Sequence, residues 1–123
     1  MTDPGTELPE AGHLVGLWTG LLLAPAAFLV NLELGYLAVR GSCAAGSQLA
    51  LHLIHAACLL AAGAGLLVAW REFRRAGGVW SAEGGGPEAR SRFMAIIGIA
   101  TSALFGLTIV AQWLPTFALH PCQ

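Results

Sequence analysis

At 123 residues, with 56% hydrophobic side chains, only 11% charged ones, a net charge of −1 and a mean hydropathy of +0.69, the chain cannot build a water-facing surface; an ordinary soluble domain carries about 25% charge. The same figures exclude a disordered chain, which is poor in apolar residues and rich in charge, and they offer no basic face to nucleic acid. They predict a small polytopic membrane protein, a single all-α domain over residues 1–123.

Three continuous apolar runs follow one another. The first extends from Leu14 to Val39 and contains one acid, Glu33; the second extends from Leu49 to Trp70 and the third from Phe93 to Trp113. At ~1.5 Å per residue each is long enough to cross a ~30 Å hydrocarbon core. Because the runs are continuous and do not alternate, a β-barrel is excluded and a three-helix bundle is predicted. The leader Met1 to His13 carries Asp3, Glu7 and Glu10 without Lys or Arg, unlike the basic start of a signal peptide, so the first run is expected to be a retained helix. Pro25 lies inside it, removes the donor for the Leu21 carbonyl, and is expected to kink it.

All six basic residues are arginines, and Arg71, Arg74, Arg75, Arg90 and Arg92 lie in or beside the 71–92 connector. Short arginine-rich loops stay cytoplasmic, which predicts the N-terminus inside and the C-terminus outside. Tyr36 and Trp113 then sit at the outer interface, with Trp70 at the inner one and Trp18 near it. Gly77, Gly78 and the Gly84–Pro87 stretch mark the connector as flexible and exposed, and Phe73 and Trp80 are expected to touch headgroups or a partner.

Helix pairs in lipid gain little from hydrophobicity, so small residues that allow close approach carry the packing. Each span offers such a stripe: Gly16, Gly20 and Ala24 in the first, Ala57, Ala61 and Gly65 in the second, Gly98, Ser102 and Gly106 in the third.

Glu33 most needs a partner, since a charged side chain within a span costs ~2.5 to 3.5 kcal/mol on insertion scales. Counted from the outer ends, Glu33 and His55 lie at one depth, with Tyr36 beside His52 and with Thr108 and Gln112 on one stripe of the third span. These six residues are expected to form one polar layer, in which Glu33 and His55 pair and lock the bundle. A sharper alternative makes the layer a proton relay or the rim of a quinone or haem pocket. Asn31, two residues from Glu33, points the other way and could bond a foreign helix.

Among the cysteines, Cys43 and Cys122 share the outer side and are expected to form a disulfide between the first outer loop and the tail, whereas Cys58 is a buried packing residue. The rival use of Cys43, Cys122, His52, His55 and His120 as copper(I) or zinc ligands lacks any Cys-x-x-Cys spacing, so no metal site and no cofactor are assigned. Two prolines after Trp113 predict that the tail leaves the helix and folds back over the outer face.

No phosphate loop, dinucleotide fingerprint, nucleophilic triad or covalent haem motif occurs, so no enzymatic activity is expected. The strings Pro25-Ala-Ala-Phe-Leu-Val-Asn-Leu-Glu-Leu-Gly-Tyr36, Leu51-His-Leu-Ile-His55, Arg92-Phe-Met-Ala and Ala111-Gln-Trp-Leu-Pro115 resemble small membrane proteins associated with bacterial haem-copper (cytochrome c) oxidases. The resemblance implies a non-catalytic accessory or assembly subunit of a respiratory complex in the bacterial inner membrane, with other membrane subunits and lipids as partners. It transfers no catalytic residue. Two readings from other classes stand beside it: an outer-face copper- or thiol-handling protein, and a quinone or proton site built on Glu33 and His55.

Overall fold

The computed structural model describes residues 4–80, 86–120 and 122. It contains three helices, α1 (Pro4–Ala45), α2 (Leu49–Arg75) and α3 (Pro87–Ala118), and no strand among the described residues. All three are long and apolar enough to cross a membrane. They run antiparallel in sequence order, so that the α1–α2 turn and the end of α3 share one end of the bundle and the α2–α3 connection occupies the other.

Every helix exceeds the apolar run that predicts it, because hydropathy marks the part in lipid whereas backbone hydrogen bonding continues until a stop signal. α1 stops at Gly46, whose φ of +67° suits glycine; there the Ser47 N–H donates back to the Ser42 carbonyl, so Cys43 stands on the last turn of α1 and not in a loop. α2 ends in a complete Schellman cap, with Gly77 N–H on the Arg74 carbonyl and Gly78 N–H on the Phe73 carbonyl, both glycines at positive φ. Arg74 and Arg75 in that last turn complement the helix dipole. α3 begins with Pro87 after an extended Gly86, and Glu88 sits in its first turn. The 81–85 part of the expected flexible loop lies outside the described residues.

Pro25 and Pro115 do not end their helices. α1 is continuous through Pro25, and α3 continues through Pro115 to Ala118, so the tail leaves the helix after Ala118 and not at Trp113 as expected. A transmembrane helix tolerates proline where neighbouring groups and local adjustment re-satisfy the backbone; past Pro115 the regular pattern resumes, with Leu119 N–H on the Pro115 carbonyl.

The helices meet through residues with almost no side chain. A Cβ added to Gly20 would lie 3.0 Å from the Ala69 backbone, and one added to Gly98 would lie 3.1 Å from the Gly20 carbonyl and 3.2 Å from Ala69 Cβ. The Ser102 hydroxyl donates to the Gly20 carbonyl at 3.2 Å, adding a polar tie between α1 and α3. A Cβ at Gly65 would come within 3.3 Å of Leu23, on the other side of Ser102. Around this crossing lie two apolar clusters, one of Ala24, Ala27, Cys58, Ala62 and Ile109 and one of Leu17, Phe73 and Ala95.

Two of the expected stripes need correction. On α2 the inward face is Leu51, His55, Cys58, Ala62, Gly65, Ala69 and Phe73, so Ala57 and Ala61 stand one position off it, Ala57 exposed. On α3, Gly98 and Ser102 are buried, but a Cβ at Gly106 would meet nothing within 4 Å. Spacing four drifts off a helix face, whereas the observed steps of three and four follow the 3.6-residue turn. Phe73 is likewise buried and touches no bilayer: its ring lies 4.6 Å from Trp80 and 5.7 Å from Trp70.

Gly98→Val forces a branched side chain against the Gly20 backbone and is expected to destabilise the bundle by about 1–3 kcal/mol, whereas Gly106→Val, in open space, leaves it close to unchanged. Thermal unfolding in detergent followed by helical circular dichroism separates the two; equal melting temperatures would contradict the crossing.

Candidate functional site

The face that α1 turns inward decides what the polar residues can do. Gly16, Gly20, Ala24 and Ala27 lie along one stripe, and the next position on it is Asn31, which is 2% exposed. Two residues further on, ~200° around the axis, Glu33 is exposed on the opposite side. The expected Glu33–His55 pair is therefore absent, and the expected roles of Asn31 and Glu33 are exchanged. Depth along the helix, read by counting from its end, places both residues correctly; azimuth, fixed by the small-residue stripe, separates them.

Asn31 donates through Nδ2 to Gln112 Oε1 of α3 at 2.8 Å, joining the two parallel helices at membrane depth. Its Oδ1 is buried without a partner. His55, buried on α2, hydrogen-bonds through Nδ1 to the Leu51 carbonyl at 2.8 Å. A carbonyl only accepts, so the Nδ1 atom carries the proton and, in the neutral ring, Nε2 is left as an acceptor. His52 has the opposite arrangement: its Nδ1 accepts from Trp113 Nε1 at 2.8 Å, which leaves the proton of the neutral ring on Nε2. Trp113 also stacks on His55 with an interplanar angle of 17°, and Phe117 covers His52 at 4.9 Å. Thr108 takes no part, since its hydroxyl bonds back to Leu104 O on its own helix.

The expected single layer is thus divided. Asn31, His55, Gln112, His52 and Trp113 form an inward polar cluster supplied by all three helices, Glu33 faces outward, and Tyr36, 68% exposed, stands at the rim. The cluster opens into a cavity of about 320 Å³ among the three helices, lined by Asn31, Gly35, Tyr36, His55, Gln112 and Thr116 with Leu32, Val39 and Leu51.

Cys43 and Cys122 are joined in a disulfide that ties the last turn of α1 to the segment after α3. Gln48 Nε2 donates to the Leu119 carbonyl at 3.4 Å beside it. With both thiols in the bond, only imidazoles remain of the alternative copper- or zinc-binding set, and among the described residues no three His, Cys, Asp or Glu side chains converge. Cys58 is free and buried in the core.

A second polar contact, at the α2–α3 end, was not expected. Glu72 is buried on the inward face of α2; its carboxylate meets His13 of α1 and lies 3.5 Å from Arg75 Nη1. Gly16 makes the room, because a Cβ there would overlap the Glu72 carboxylate. The signal lay in the α2 face itself, which reaches Glu72 by helical steps from Gly65 and Ala69 and places it opposite the Gly16 gap.

No protein-family model, curated protein or solved structure matches the chain.

Asn31→Leu removes the one hydrogen bond that, among the described residues, links α1 and α3 side chain to side chain near the disulfide end. It is expected to cost about 0.6 kcal/mol and at most ~1.7 kcal/mol, the range of intramembrane hydrogen bonds, while Glu33→Gln in the isolated protein leaves the melting temperature unchanged. A larger loss for Glu33→Gln than for Asn31→Leu would show that the acid has an internal partner.

Proposed function

We propose that the chain is a non-catalytic accessory or assembly subunit of a respiratory membrane complex, a haem-copper oxidase on the strength of the resemblance in its sequence. The observation that carries the subunit reading is the outward placement of Glu33. It sits on an apolar face beside exposed Val30, Leu34 and Leu37, roughly 9 Å along the axis from the end of the apolar run at Val39. An acid at that depth is costly unless it meets a donor, and the bundle's own donors at this level, Asn31 and Gln112, are on the other side of α1. A helix of another subunit with a polar or basic side chain supplies what this chain withholds.

The interior supports the same reading. Gly20, Ala69 and Gly98 bring the backbones into contact, which leaves no continuous passage for a transported solute through a single copy. In the proposed orientation the arginines beside the α2–α3 connection lie in the cytoplasm, and the Cys43–Cys122 bond lies on the oxidising side of a bacterial inner membrane, where disulfides persist. There it fixes the end of the bundle offered to larger subunits.

Extraction of native membranes in mild detergent, followed by affinity capture and mass spectrometry, tests the proposal. The wild-type protein is expected to bring down oxidase subunits, and Glu33→Leu to lose them while keeping its own melting temperature. Capture of no respiratory subunit by the wild type would overturn the reading, as would full retention by Glu33→Leu.

A further inference from the structure

The cavity lined by all three helices has a hydrogen-bonding code that reads atom by atom. His55 Nδ1 is committed to the Leu51 carbonyl, so Nε2 is the atom of that ring left to accept. Gln112 Oε1 is committed to Asn31 Nδ2, so its amide N–H groups are left to donate. One wall therefore offers an acceptor on α2 and the other a donor on α3, and the buried Asn31 Oδ1 adds a second acceptor without a partner. Exposed Tyr36 lines the rim.

Shape narrows the occupant further. The volume of about 320 Å³ lies at the small end of ligand pockets and suits a single ring. The ring of His55, backed by the nearly parallel Trp113, makes a flat wall. Leu32, Tyr36 and Val39 on the α1 rim are exposed, so the cavity opens sideways into lipid. Gly35 borders this open space, since a Cβ there would meet nothing within 4 Å.

We infer that this cavity binds the head of a membrane-borne hydroxylated aromatic ring of the quinol class, a ring hydroxyl donating to His55 Nε2, a ring oxygen accepting from the Gln112 amide, and the tail leaving past Leu32 and Val39 into the bilayer. The site holds no part of Glu33. It is independent of the partner reading, because it belongs to the isolated chain and is assayed on it.

The test uses the full-length protein in phosphatidylcholine nanodiscs, with its disulfide intact, titrated with decylubiquinol under argon while thermal unfolding is recorded. Binding to the folded state alone raises Tm in a saturable way. The wild type is expected to rise by a few degrees and to saturate. Gly35→Leu, whose Cβ meets nothing within 4 Å and whose side chain enters the opening, is expected to keep the wild-type starting Tm and to show no rise. Gln112→Leu, which removes the donor, is expected to need at least about tenfold more quinol, the factor that a lost hydrogen bond gives. An equal rise in wild type and Gly35→Leu would show partition into lipid only and would overturn the site. No rise in the wild type would overturn it as well, and so would an equal saturable rise with dioleoylglycerol, since that lipid presents a hydroxyl and carbonyls without a ring.

Discussion

The contact of Gly20 with Ala69 and Gly98 is the constraint on which the rest of the structure depends. Three backbones approach to within the radius of a missing methyl group, and α1 can do so on one stripe only. Once Gly16, Gly20 and Ala24 face inward, helical periodicity leaves no freedom further along: Ala27 enters the core, Asn31 meets Gln112, and Glu33 turns to the outside. The same stripe opens the space at Gly16 that Glu72 occupies. In lipid, where apolar surface has no strong preference between a neighbouring helix and an acyl chain, this steric selection does what a hydrophobic core does in water.

The ends of the bundle are closed by different means. At the disulfide end, covalent linkage of Cys43 to Cys122 and the Gln48 contact with Leu119 hold the helices above a polar cluster. At the other end an aromatic group of Trp70, Phe73 and Trp80 covers the apolar cluster around Leu17, next to the His13–Glu72 contact. Polar side chains thus occur at both ends of the interior, and the middle is nearly all alanine, glycine and aliphatic. A bundle so arranged is stiff where the helices cross and open where the inward polar groups of α2 and α3 still have unused hydrogen-bonding atoms.

Much of this was legible in the sequence. The three helices followed from composition and run length, with Leu49 as the start of both the second apolar run and α2, and the cysteine bond from the side of the membrane that the two residues share. Helix ends were not, because Gly46 and the Gly77–Gly78 pair stop the backbone several residues beyond the point where apolar character fades. The polar layer was half legible. Counting residues from the span ends gives depth but not rotation, so Glu33 and His55 were matched in height while facing apart. Continuing the small-residue stripe of α1 from Ala24 by seven positions reaches Asn31, and that step, rather than the cost of burying an acid, assigns the inward polar residue. Glu72 escaped notice because it stands among arginines in what hydropathy marks as a loop.

The rotation of α1 is therefore the claim to test most directly, by engineered cysteine pairs in a Cys58→Ala background with the native disulfide left in place. After mild oxidation in the membrane and denaturation, maleimide mass tags count the thiols that remain free. Asn31→Cys combined with Gln112→Cys is predicted to lose both tags by forming a bond between α1 and α3, and Glu33→Cys combined with His55→Cys is predicted to keep both. Protection of the second pair with free thiols in the first would place the acid inside the bundle and contradict the account.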